Sequence, residues 1–194
     1  MERRQYLAAT VGAVTLTAGC TSTGHTEMEG EIIDPERETS EVGLTPDPRP
    51  EDLEEVEWNR EDFREYNAEG VLVEQVPVDV ARYWYHTGRA RFIDARVFDR
   101  YEMAHIKNAI HSPAPEGKPE DGIENFDKRE RMVTYCTCPD HLSGLRVADL
   151  IEQGYSGVFA LDEGLQPWVD NGYPTDTLNE QTTVPEQEDY SNVE

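Results

Sequence analysis

Two thiols two residues apart, followed closely by an imidazole, are the groups in this chain best suited to covalent or metal chemistry. They are Cys136, Cys138 and His141, in the stretch "VTYCTCPDHLSG" over 133–144. The one other cysteine, Cys20, lies far away. A thiolate is a strong nucleophile, so one of the pair is a candidate to attack an electrophilic atom. Read as Cys-x-Cys-x-x-His, Cys136, Cys138 and His141 also offer zinc or copper(I) two thiolates and a nitrogen. A structural zinc wants a fourth ligand, for which His105 and His111 are the remaining candidates. As a redox pair the two cysteines would close a small, strained and labile ring.

The elements around these residues favour Cys136. "RMVTYC" is an apolar strand ending at Cys136, and "SGLRVADLIEQG" has helical spacing from about Ser143 to Gly154. A cysteine between a strand exit and a helix N-terminus faces unpaired N–H groups and the positive end of the helix dipole. Such a loop cradles anions and stabilises a thiolate. Elsewhere "GVLVEQV", "RFIDAR", "NAIHSP" and "GVFALD" read as strands, while "VDVARYWYHTG", "FDRYEMAHI" and "EGLQPWVDNGYP" read as helices or turns. Alternating strands and helices predict an α/β fold with a central parallel sheet flanked by helices on both faces. In such sheets ligands sit beyond the carboxyl ends of the strands.

The chain has 194 residues, 17 basic and 41 acidic, for a net charge of −24. That charge argues against nucleic acid as a partner. Residues 70–175 hold 11 Lys/Arg and 17 Asp/Glu, so most of the excess lies in the flanks. Strong acidity is tolerated where concentrated salt screens self-repulsion, which makes a halophilic source one expectation and a merely acidic linker and tail the other. "MERRQYLAATVGAVTLTAGC" joins Arg3-Arg4 to an apolar run too short to span a bilayer, as in a signal peptide over 1–19. It resembles a twin-arginine export signal, and Thr17-Ala18-Gly19-Cys20 resembles a lipobox whose leucine, Leu16, is displaced by one residue. That resemblance implies an exported protein anchored to the outer face of the cell membrane by lipid on Cys20. Residues 20–57 read as a disordered acidic tether, 58–69 as a short arm, and 176–194, without Lys or Arg, as a disordered acidic tail.

Four motifs in order resemble the rhodanese-like (sulfurtransferase) domain over 70–175: "FIDAR" at 92–96, "YEMAHIKNAIHSP" at 101–113, "VTYC" at 133–136 and "GLQPWVDNGYP" at 164–174. "YCTCPDHLS" is similar to a subset of these domains with a Cys-x-Cys-Pro loop. The resemblance implies that Cys136 takes sulfane sulfur as a persulfide from a small sulfur-containing donor. It then passes the sulfur to a thiol or other thiophilic acceptor, with no cofactor. The resemblance also assigns Thr137, Cys138, Pro139, Asp140, His141, Leu142 and Ser143 to the active-site loop, and Asp94 and His105 to structural roles beside it. Read as one of a redox pair, Cys138 would be a resolving thiol that attacks the Cys136 persulfide; the alternative is a small apolar loop residue. Two departures stand out. Ser143 lies seven residues beyond Cys136, one more than in the usual single-domain loop, and Leu142 stands where the family places Arg or Lys. The longer loop is typical of phosphatase relatives, but those need an Arg at the position of Leu142 to clamp an oxyanion. Without the cation, the alternative is a non-catalytic, metal-binding or redox module at the cell surface using Cys136, Cys138 and His141.

Overall fold

A computed structural model describes residues 31–38, 40–47, 49–137 and 141–178. Six strands form one sheet in the order β1-β2-β7-β6-β3-β5. These are β1 (Arg64–Ala68), β2 (Val71–Val76), β3 (Arg91–Asp94), β5 (Ile110–His111), β6 (Met132–Tyr135) and β7 (Val158–Leu161). All pairings are parallel except β1 with β2. A small antiparallel pair joins β4 (His105–Ile106) to β8 (Thr175–Asp176). The helices are α1 (Val78–Thr87), α2 (Phe98–Met103), α3 (Leu142–Glu152) and α4 (Gln166–Asp170).

The central strands are buried on both faces because alternate residues point to opposite sides. Phe92, Val133, Tyr135, Phe159 and Leu161 pack with Trp84 and Tyr85 of α1 and Trp168 of α4. Ile93, Met132, Val158 and Ala160 pack with Val147, Ala148 and Leu150 of α3. The strand and helix pattern expected from the sequence therefore holds. Gly88 ends α1 in the left-handed region at φ +68°, and the next N–H, of Arg89, reaches Trp84 O at 2.8 Å. That geometry closes the helix end and suits glycine. Helix α3 begins at Leu142, one residue before the expected Ser143.

Three boundaries differ from the sequence reading. Within the expected tether over 20–57, residues 31–38, 40–47 and 49–57 lie along the domain as a strap. Leu44 is fully buried and Leu53 nearly so. Phe92 N donates to Gly43 O at 2.8 Å, and Arg91 Nη1 donates to Val42 O at 2.6 Å and Ser40 O at 3.0 Å. Ile33 bridges Glu130, beside the start of β6. The expected arm over 58–69 contains β1, an edge strand of the main sheet, so the domain starts before residue 70. The expected tail begins inside β8, and Leu178 N still donates to Glu102 O at 3.0 Å. The signal segment, Cys20, and residues 179–194 lie outside the described residues.

Candidate functional site

Cys136 is the first residue after β6 and is fully buried. Its carbonyl accepts a hydrogen bond from Leu165 N at 2.8 Å. Gly164, at φ +71°, lies so close that a Cβ there would stand 2.9 Å from Cys136 O. The strand exit is thus stitched to the segment before α4, and glycine is required for the approach.

The N-terminus of α3 closes the other side. Ser143 is buried in its first turn, and Ser143 Oγ lies 3.5 Å from Cys136 Sγ. Thr134 Oγ1 donates to Ser143 O at 3.1 Å, tying that turn to β6. The first turn's N–H groups have no acceptor within the helix, and their dipoles favour negative charge at the loop. His141 is exposed at the N-cap position and its side chain makes no capping bond. Leu142, half-buried, is the first helical residue, and Thr137 is half-buried after the strand exit. Cys138, Pro139 and Asp140 lie outside the described residues.

Strand β3 runs beside β6, with Asp94 opposite Tyr135. The fully buried Asp94 carboxylate accepts from Arg96 N at 2.9 Å, Arg96 Nε at 2.9 Å and Arg96 Nη2 at 2.6 Å. Arg96 Nη2 also donates to Ala104 O at 2.5 Å. Burial opposes the Arg96 charge, but Asp94, with smaller help from Tyr135 and Cys136, raises the guanidinium above its ordinary value. Arg96 is therefore a buried cation just past β3, the strand that runs beside the one ending at Cys136. The sequence shows it only as the last letter of "FIDAR", where an arginine two residues after an acid reads as ordinary surface charge. Burial first, then the Asp94 charge, pushes the Tyr135 phenol well above its usual range, so it is neutral. Its oxygen accepts from Ile106 N at 2.9 Å.

His105 Nδ1 lies 2.8 Å from Tyr101 O, and its ring stacks on Tyr101 at 4.0 Å between centroids. His111 stacks on Tyr101 at 4.6 Å, with Nε2 2.9 Å from Arg96 O. Tyr101 is thus sandwiched between the two histidines proposed as spare metal ligands. Among the described residues no three His, Cys, Asp or Glu are placed to share a metal ion. The Cys136, Cys138 and His141 set falls partly outside those residues.

Comparison with known proteins identifies the family. The rhodanese-like domain model matches residues 78–171. Thiosulfate sulfurtransferase GlpE of Coxiella burnetii is 34% identical over 87 residues, covering 44% of this chain and 77% of the relative. The chain belongs to the rhodanese-like family. Thiosulfate sulfurtransferase PspE of Escherichia coli is 32% identical over 87 residues, covering 45% of this chain and 75% of its own. Protein HIGH ARSENIC CONTENT 1, mitochondrial, of Arabidopsis thaliana is 28% identical over 113 residues, covering 54% of this chain and 66% of the relative. The solution structure of a rhodanese-like domain from Anabaena is 24% identical with a TM-score of 0.49, covering 62% of this chain and 91% of that one. The rhodanese-like match begins at α1, so the strap and β1 precede it.

Proposed function

We propose that this rhodanese-like protein is a sulfurtransferase that carries sulfane sulfur as a persulfide on Cys136. The supporting observation is the seat of Cys136: buried at the strand exit, its sulfur 3.5 Å from Ser143 Oγ at the N-terminus of α3. In the first step the Cys136 thiolate attacks the outer sulfur of a donor such as thiosulfate. The new S–S bond forms as the donor's S–S bond breaks, releasing sulfite and leaving Cys–S–S⁻. In the second step an acceptor thiolate attacks the outer sulfur, takes it as its own persulfide and returns Cys136 as thiolate. Negative charge is conserved through both steps, and the N–H groups of α3 favour it at the loop.

Incubation with thiosulfate, polysulfide or mercaptopyruvate should add about 32 Da to Cys136 in the full-length protein. A Cys136→Ser variant should gain nothing. Wild type that stays at its original mass with all three donors would sink the reading and favour a binding module. Export and membrane anchoring through a lipid on Cys20 belong to the same proposal, supported by the N-terminal sequence alone. Wild type in a detergent-soluble membrane fraction and Cys20→Ser in the aqueous fraction would be the supporting pattern.

A further inference from the structure

The loop between β5 and β6 leaves the sheet beside Cys136. Hydrogen bonds step across the carboxyl edge, from Ala95 N to Tyr135 O at 2.9 Å and from Ala114 N to Ala95 O at 2.9 Å. Ala114 therefore stands two strands from the residue before Cys136, about 10 Å at the usual strand spacing. Helix α3 ties the two places together. Ser143, whose Oγ lies 3.5 Å from Cys136 Sγ, and Arg146 are three residues apart and share a helix face. The buried Arg146 donates from Nε to Ser112 Oγ at 2.9 Å and pairs with Asp149 and, at 3.5 Å, with Asp121. Ser112 Oγ donates to Asp121 Oδ2 at 2.6 Å. Gly117, at φ +77°, closes on this cluster: a Cβ there would stand 2.7 Å from Arg146 Nη2 and 2.7 Å from Asp121 Oδ2. The loop is thus bolted to the helix that faces the thiol. Lys118 follows Gly117, and its Nζ lies 3.2 Å from His111 Nδ1. His111 Nε2 faces Arg96 O, which can only accept, so Nε2 carries the ring proton and Nδ1 is the bare nitrogen. The ammonium is held by a neutral acceptor, and among the described residues no carboxylate pairs with it. His111 stands opposite Asp94, which stands opposite Tyr135, so this charge sits over the row that ends at Cys136.

A chain of net charge −24 repels small anions, and its cysteine loop has Leu142 where the family places Arg or Lys. We propose that Lys118 recruits anionic reactants, thiosulfate among them, to Cys136 from the neighbouring loop. The attraction acts over about 10 Å or more, so it raises the rate of encounter and needs no contact with the sulfur. The inference rests on the reading of Cys136 as the reactive thiol, but its test needs no sulfur transfer. Iodoacetate, an anion, and iodoacetamide, its neutral counterpart, alkylate the same thiol, so the ratio of their rates reads the charge near it. The rates are measured on the full-length protein, with the label placed on Cys136 by fragment mass spectrometry. At about 0.01 M ionic strength, where the Debye length is about 30 Å, Lys118→Gln should lower the ratio about 2- to 3-fold. At about 1 M salt the difference should vanish. Thiosulfate carries two charges, so its loading of Cys136 should slow about 4- to 9-fold at low salt. Lys118→Arg should keep the wild-type ratio. Lys128→Gln removes the same charge before β6, at the amino edge, and should keep it too. A wild-type ratio in Lys118→Gln overturns the inference, and so does an equal fall in Lys128→Gln, which would mean net charge alone. Equal slowing of both reagents in Lys118→Gln would mean lost structure and overturns it as well. If wild type accepts no sulfur from any donor while Lys118→Gln lowers the ratio, recruitment of anions stands and the sulfurtransferase reading falls.

Discussion

Strand β3 carries a buried arginine–carboxylate pair at each end, and the two do different work. At its start, Arg91 is fully buried and donates to Glu130 at 2.6 Å. Its remaining bonds hold carbonyls of the N-terminal strap. Just past its end, Arg96 grips Asp94 and the carbonyl of Ala104, and Asp94 lies opposite Tyr135, the residue before Cys136. The chemistry is the same and the burial nearly so. One pair fastens a segment at the amino edge of the sheet, away from any reacting group. The other sits at the carboxyl edge, where ligands of parallel sheets bind. What a buried ion pair does in this fold is set by which edge it occupies.

The comparison breaks first, and most widely, at Glu130. Glu130→Gln should leave Arg91 charged and poorly paired in the interior, costing about 3–5 kcal/mol. Denaturant unfolding should show that loss, while the folded fraction keeps the native pH profile of Cys136 alkylation. A changed profile would mean that the two edges are coupled. At the other edge, Arg96→Gln should cost stability too, but its signature is chemical. Removing the cation disfavours the thiolate, so alkylation at pH 7 should slow about 10-fold. Asp94→Asn should shift the profile the opposite way, towards lower pH, because Arg96 loses its neutralising partner. Shifts of the same sign in both variants would contradict the electrostatic role assigned to Arg96.

The smallest effect concerns His86 and His111. Burial, the larger influence in each, lowers both histidines below the ordinary value, with Arg82 adding to His86 and Lys118 to His111. A histidine lowered in the folded state binds fewer protons there than in the unfolded chain. Its stabilisation is therefore complete above about pH 6.5 and is lost as pH falls through the folded value. His86 lies close to the strap acids Asp47 and Asp52, and His111 bonds the backbone of Arg96. Thermal midpoints should thus decline modestly from pH 7.5 to 5, and His86→Gln should flatten part of the decline. A midpoint that rises over this range would show the sign to be wrong.

The site was legible where local pattern and chemistry coincide. "RMVTYC" contains a short apolar strand run, Met132–Tyr135, that ends next to Cys136, and the spacing after Ser143 is helical, so the cradle followed from two adjacent elements. The strap was not legible. It is fixed by a few irregularly spaced side chains, Leu44, Thr45 and Leu53, and by side chains from elsewhere bonding its carbonyls, as Asn108 does to Glu41 O and Leu44 O. Such contacts leave no period in a sequence rich in acids. Strand β1, "REYNA", was read as an arm because an edge strand shows three exposed polar residues out of five and pairs on one side only. Arg96 was missed for a related reason: nothing in its sequence neighbours reveals that it is buried against Asp94, on the strand beside the one that delivers Cys136.

The strap also gives the molecule a direction. Ile33 bridges Glu130 and Asp34 pairs with Arg89 and Arg131, all before the starts of β3 and β6, whereas Cys136 leaves the far end of β6. A pull or a moorings point upstream of Ile33, such as the lipid proposed for Cys20, would be felt at the pole opposite the thiol. Held that way, the domain would stand with its back to the surface and the Cys136 end of β6 turned away from it.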